Sequence, residues 1–348
     1  MAIKHLRIKY LVVILLLVCL SISPSITSIY VDAAINTKKN IEVDNTKYPG
    51  LIGWEGDCFA PLTNMASGVY LRDGGKREIP PFAIYNNSKL KWYNEEGYLP
   101  CLVTEFERDN CTVKIKLFCD KVTVKSNNYV MMYARVQVKN HDTKAHSLQP
   151  GAPEEYTPIT SNSITVAPGK TVNHDFVMTV DRFTKNLKAL TAEEMKALGS
   201  WDKHYAHMKG YWDGLLKGVV QFNKLPDQRL VNAFKANYIY IHIVKDYYAS
   251  GKIKNVPGEA CYDEPAYTHD KIGIAAAMMD IGDFREADKW FESFSTKTSE
   301  GYKDAYYKYS YPMSIYALKT GDMSWVNKNW KTVQSLAHYI HDARTGPN

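Results

Sequence analysis

The feature that most constrains this chain is a change of hydrophobic period near Thr191. Before it, apolar residues alternate. In Asn110 to Cys119 (NCTVKIKLFC), Val113, Ile115 and Leu117 are separated by Lys114 and Lys116, a period of two with one wet face. Tyr129 to Val138 (YVMMYARVQV) does the same through Tyr133, Val136 and Val138. Ser163 to Val166, the turn APGK and Thr171 to Val180 read as a hairpin, with Pro168-Gly169 in its turn. After Thr191, apolar residues recur at three- and four-residue steps. The expectation is a multidomain chain, β then α: an N-terminal antiparallel β-sandwich over 34–182, a linker helix region over 183–224, and αα-hairpins over 225–348.

The helical part repeats itself. Ala192 to Leu216 reads as one connecting helix carrying Trp201, Tyr205, Tyr211 and Trp212. Pro226-Asp227 opens a helix with an apolar stripe of Leu230, Phe234, Ile241, Val244 and Tyr248, ended by Gly251. Asp270 to Ile281 is followed by Gly282-Asp283 and a helix burying Phe284, Ala287, Trp290, Phe291 and Phe294. Asp283 and Glu286 have the spacing of a capping box. The order returns in Pro312 to Lys319, Gly321-Asp322, and Ser324 to Arg344 with Val326, Trp330, Val333, Ala337 and Ile340 inward. The two Gly-Asp pairs stand 39 residues apart, the mark of an array of αα-hairpins. Long, unequal loops between hairpins favour a toroid over a regular solenoid. About five long helices follow residue 190, fewer than a closed toroid requires. A truncated chain, with an apolar flank left bare, is therefore expected.

Residues 1–33 read as an export signal. Lys4, Arg7 and Lys9 precede the apolar run Leu11 to Ile22, and Val31 and Ala33 supply small residues before a cut after Ala33. The run is shorter than the roughly 20 residues of a membrane span. The expectation is a secreted or cell-surface bacterial-type protein that meets the membrane only through this signal. Net charge is +6 over the 348 residues, and no Lys/Arg-rich run implies nucleic acid. Five cysteines lie outside the signal (Cys58, Cys101, Cys111, Cys119 and Cys261), an odd number without a CxxC pair. Cys111 and Cys119 fit buried thiols and a disulfide equally well. His204 and His207, like His338 and His341, stand i, i+3 on helices, a spacing expected at the surface; neither a metal nor a cofactor is implied. The 25 Tyr and 7 Trp suit sugar rings, whose C–H faces pack on aromatic planes. They suit a sandwich core equally.

Several segments carry a resemblance: YWDGLL at Trp212, Leu225-Pro226-Asp227, the stretch PGEACYDEPAYTHDKIGIAAAMMDIGDFREADKWFESF from Pro257, and SIYALKTGDMSW followed by HYIHDAR. Together with the order sandwich, linker helix, hairpins, they resemble the six-hairpin glycosidases, (α/α)6-barrel glycoside hydrolases of the bacterial glucoamylase kind. The resemblance implies part of an (α/α)6 toroid behind the β-sandwich. It implies a sugar pocket floored by an Arg-Asp pair; Asp270 falls on the Asp, and His269 stands where Arg is usual. Imidazole cannot reproduce the planar two-pronged guanidinium. Tyr262, Asp263 and Glu264 would line the same substrate-binding loop.

The function expected from this resemblance is glycoside hydrolysis of an oligo- or polysaccharide by general acid and base carboxylates, about 6.5–9.5 Å apart in an inverting enzyme. The resembled enzymes draw that pair from later hairpins, so no catalytic pair is named here. No Gly-rich phosphate loop suggests phosphorolysis. The alternative is a non-catalytic sugar-binding or cell-surface protein on the same fold. A helical-repeat scaffold fits poorly with the aromatic-rich loop 257–270.

Overall fold

The computed structural model describes residues 49–57, 60–71, 77–86, 88–181, 187–222, 225–247, 253–255, 268–292 and 306–345. The export signal, Tyr262, Asp263, Glu264, Cys58, Cys261, Tyr248, Gly251 and Phe294 lie outside them. The element order is β then α. A small antiparallel sheet runs β1 (Gly50–Leu51), β2 (Leu62–Thr63), β3 (Val69–Leu71), β4 (Arg77–Ile79). The main strands are β5 (Lys91–Asn94), β6 (Cys101–Arg108), β7 (Cys111–Val124) and β8 (Asn127–Asn140). They are followed by β9 (His146–Ser147), β10 (Thr157–Pro158), β11 (Thr165–Val166) and β12 (Thr171–Asp181). Six of these form an antiparallel sheet in the order β10-β12-β8-β7-β6-β5.

Two tight hairpins set its register. Asp109 and Asn110 (φ 50° and 57°) join β6 to β7, and Lys125 and Ser126 (φ 47° and 66°) join β7 to β8. Both central residues are left-handed in each turn, the form that matches the twist of paired strands. Arg108 then pairs with Cys111 and Val124 with Asn127. The hairpin expected around Pro168-Gly169 is not one. Gly169 does turn the chain (φ 69°), but β11 pairs with β9 while β12 pairs with β8 and β10. The flanking strands go to different sheets.

Along β7, Val113, Ile115, Leu117 and Cys119 are buried on one side. The other side is wet only at its start. Lys114 and Lys116 are half-buried in ion pairs with Glu105 and Glu95. Beyond them Phe118 and Asp120 lie under a helix. Cys101 and Cys111 are buried free thiols, and Cys119 is buried as well. Eight residues of extended chain separate Cys111 from Cys119 by about 26 Å, far beyond disulfide reach.

Seven α-helices follow among the described residues. They are α1 (Ala192–Ala197), α2 (Trp201–Leu216), α3 (Gln228–Ile243), α4 (Thr268–Asp280), α5 (Phe284–Phe291), α6 (Ser310–Thr320) and α7 (Met323–Thr345), with a two-strand ribbon, β13 (Asp246–Tyr247) and β14 (Ile253–Asn255), between α3 and α4. The single connecting helix is in fact two. Gly199 (φ 116°) breaks it, and Ser200 caps α2 through the Lys203 amide. Helix α3 starts on Asp227, whose side chain accepts from the Arg229 amide, and ends at Ile243, sooner than its apolar stripe suggests. The α6–α7 joint keeps its expected form, with Gly321 left-handed at the end of α6 (φ 64°).

Two stripes are rotated by one residue. Leu230 is 54% exposed while Val231 is buried; Trp330 is 51% exposed while Trp325 and Leu336, about three turns apart, are buried. One residue is a rotation of about 100°. Among the described residues no helix is long and apolar enough to cross a membrane.

Helix α2 docks on the sheet through polar as well as apolar contacts. Arg135 of β8 makes a two-pronged pair with Asp175 of β12 (2.6 and 2.9 Å) and a second with Asp202 of α2 (2.8 and 3.0 Å). Its guanidinium lies 4.0 Å from the Trp201 ring centroid. Arg135→Ala leaves the Asp175 carboxylate buried and unpaired, which costs about 3–5 kcal/mol. Asp202 is 72% exposed, so Asp202→Ala costs less than about 1 kcal/mol. Urea denaturation of both variants checks the order; equal losses would show that Arg135 acts on α2 alone.

Candidate functional site

The site lies where the strand-rich part meets α2, α3 and α5. Its first element is a tight turn over residues 54–57. The Asp57 amide donates to the Trp54 carbonyl (3.0 Å), and Gly56, left-handed at φ 71°, gives its amide to the His242 carbonyl at the end of α3 (3.0 Å). A β-carbon is disfavoured at that φ, and the bond satisfies a carbonyl the helix leaves open. The turn thereby brings Glu55 against the end of α3.

Lys245 stands just past α3 and is fully buried. Its ammonium donates to Glu286 Oε1 of α5 (2.6 Å), to Glu55 Oε1 (3.0 Å) and to His242 Nδ1 (2.9 Å). Glu286 Oε2 also accepts from Lys289 (3.1 Å), and Glu55 Oε2 from the Tyr211 hydroxyl of α2. His242 Nδ1 also lies 3.3 Å from Glu55 Oε1, and its Nε2 is buried with no partner among the described residues. Burial alone would raise the Glu55 carboxyl; His242, Lys245 and Tyr211 outweigh it and hold Glu55 well below its ordinary 4.5. Glu286 is likewise lowered, burial being outweighed chiefly by Lys245.

A second cluster adjoins the first. Asp120 of β7, 1% exposed, accepts from His204 Nδ1 through one oxygen and from His207 Nδ1 through the other, both at 2.7 Å. His204 Nε2 faces the Leu198 carbonyl (3.2 Å). Both nitrogens of His204 thus face oxygen atoms. His207 gives its Nδ1 proton to Asp120, and its Nε2 has no partner among the described residues. In the neutral ring that nitrogen is an acceptor. The buried Trp54 indole backs this arrangement, with His207 stacked on it (5.4 Å, 12°) and Tyr211 beside it (4.3 Å, 30°).

Two hollows open here. A cleft of about 690 Å³ is lined by Trp54, Glu55, Lys121, His207, Tyr211 and Lys289, among others. A more enclosed cavity of about 380 Å³ is lined by Glu55, Gly214, Tyr238, His242, Glu286 and Lys289, among others. Glu55 and Lys289 border both. The cleft combines aromatic surface, an ionised carboxylate and ammonium groups. It can bind a polyhydroxylated ligand through C–H contacts on rings and hydrogen bonds from hydroxyls to Glu55 and His207. Glu55, held ionised, accepts protons in hydrogen bonds and does not serve as an acid near neutral pH.

Of the residues expected at a sugar pocket, Tyr262, Asp263 and Glu264 lie outside the described residues, and of His269 only the backbone in α4 is described. Asp270 is half-buried in the first turn of α4. It sits at the third helical position, two residues later than the helix begins, where the helix dipole favours a carboxylate, and it lines neither hollow. The start of α4 at Thr268 is one departure from the expected Asp270, and Glu286 corrects a second expectation. Asp283 does cap α5, accepting from the Glu286 amide (3.1 Å), but the Glu286 carboxylate turns to Lys245 and Lys289 instead of closing a capping box. His204 corrects a third, being buried rather than at the surface. The i, i+3 pair of histidines is the signal that could have found this cluster; Glu55, Lys245 and Asp120 left none. Among the described residues no group of three or more His, Cys, Asp or Glu is placed to hold a metal.

The depressed carboxyls imply acid lability. Their folded-state values lie below 4.5, so the unfolded chain takes up protons first as the pH falls past 4.5, and stability declines there. Glu55→Gln should be less stable than wild type at neutral pH and show a shallower decline on the acid side. Chemical denaturation across the acid range measures this, and parallel pH profiles for the two proteins would contradict it. A scan against protein-family models found no match, and no curated protein matches the chain either.

Proposed function

We propose that this is a secreted carbohydrate-active protein of the six-hairpin glycosidase type, with a β-sandwich followed by helical hairpins of an (α/α) toroid. It binds oligo- or polysaccharide at the seam of the two parts. The observation that carries the reading is the cleft in which Tyr211 and His207 present rings over Trp54 beside the ionised Glu55, with Lys121 and Lys289 on its walls. Sugars offer apolar C–H faces and a ring of hydroxyls, and this mixture of planes and charged hydrogen-bonding groups complements both. The order β then α and the two Gly-Asp hairpin joints support the fold reading. Glycoside hydrolysis by general acid and base is the proposed reaction.

A specific observation favours the second reading, a sugar-binding protein without catalysis. The cleft's carboxylate is held ionised, which suits an acceptor of hydroxyl protons and not the acid a glycosidase needs.

Tyr211→Ala should weaken oligosaccharide binding at least tenfold by calorimetry while the protein stays folded. Asp270→Asn probes the site implied by the resemblance. If only the Asp270 variant loses affinity, the sugar lies against α4 and the seam is not the site. New reducing ends released from a panel of polysaccharides would establish hydrolysis; affinity without release would leave binding alone.

A further inference from the structure

We propose that the saccharide ligand is an extended chain of several units, laid along one face of α2 from the cleft to the enclosed cavity. This rests on the carbohydrate reading and adds its length and path. His207, Tyr211, Gly214 and Gly218 are spaced i, i+4, i+7 and i+11, one stripe running along α2 and just past its end. The first two line the cleft and the last two line the cavity.

Glycine in a helix interior costs about 1 kcal/mol relative to alanine. Close packing does not require it here, because a β-carbon on Gly214 would meet nothing within 4 Å. The helix face is bare beside an open volume. Eleven residues of helix span roughly 16 Å, about three pyranose rings end to end.

Polar groups stand along this path. His207 Nε2, whose ring is held through Nδ1 by Asp120, marks one end. The ionised Glu55 borders both hollows at the middle. At the cavity end, His242 is 2% exposed and its Nε2 has no partner among the described residues. A buried ring nitrogen of that kind calls for a partner, and a sugar hydroxyl in the cavity, which can donate or accept, provides one. The ligand is thus a polyhydroxylated chain longer than a disaccharide, read by the Glu55 carboxylate and by the ring nitrogens of His207 and His242.

The test uses the full chain on an array of neutral and acidic glycans of one to eight units, followed by calorimetry on the series that binds. Affinity should rise at least tenfold from one unit to three or four and then level off. Gly214→Leu should match or exceed the wild-type melting temperature, since leucine is the better helix former, yet lose that rise with length while short sugars still bind. Gly214→Ala, which adds one methyl to open space, should stay folded and show a smaller loss. Affinity independent of length in wild type, or an unchanged length profile in both folded variants, would overturn the extended path and leave the carbohydrate reading intact. Absence of any glycan binding would overturn both.

Discussion

Lys245 holds its positive charge out of solvent, and the joint between the strand-rich part and the helices is built around it. An ammonium removed from water costs several kcal/mol unless its protons are all taken. Here groups from three places meet them: Glu55 from the N-terminal turn, His242 from α3 and Glu286 from α5. None of these segments could shift without leaving a charge bare. The joint is therefore a poor source of net stability but a strong source of fixed geometry. It orients Glu55, through which Tyr211 is held, and so it shapes the wall shared by the cleft and the cavity.

A second polar device fixes α2. At its start, Arg135 ties Asp175 of the sheet to Asp202 of the helix under the Trp201 ring. One turn on, His204 stacks on Tyr133 (4.3 Å) and binds Asp120. Apolar contacts alone, such as Phe118 against Trp201 and Tyr205, would let a helix rotate on a sheet at modest cost, because dispersion is not directional. Directed pairs to Asp120 and Asp175 remove that freedom. His207 then stands at a defined angle, its Nδ1 bonded to the same carboxylate that holds His204.

What was legible in the sequence follows from what periodicity encodes. Period two in NCTVKIKLFC and YVMMYARVQV located β7 and β8, and the Gly-Asp pairs located the α4–α5 and α6–α7 joints, because those signals are local. Phase was harder to read. Leu230 and Trp330 lie on the wrong side of their stripes, since a stripe one residue over has the same period and only tertiary packing chooses between them. The break at Gly199 and the strand exchange at β11 depend on partners far along the chain. The site was the least legible part. Glu55 and Lys245 stand 190 residues apart, and Glu286 looked like a local cap because its distant partner left no trace near it. The substrate-binding residues expected from the resemblance fall largely on the loop before α4, outside the described residues, whereas the cluster that the fold assembles comes from turns and helix ends with no motif of their own.

Helix α2 shows why local sequence reasoning and site geometry part company here. Its buried stripe, Trp201, His204, Met208, Trp212 and Leu216, follows helical spacing closely and is what the fold needs. The adjoining stripe sets Gly214 in the helix interior, where alanine would be better by about 1 kcal/mol, and exposes an imidazole whose free nitrogen is paired with nothing among the described residues. His207 does serve the fold through Asp120 and Trp54, but Gly214 brings no packing in return. A departure from local preference of that kind is expected where a surface is kept for a ligand. That it falls on the face that carries His207, beside the turn that carries Glu55, ties the unexplained part of α2 to the seam that Lys245 holds in place.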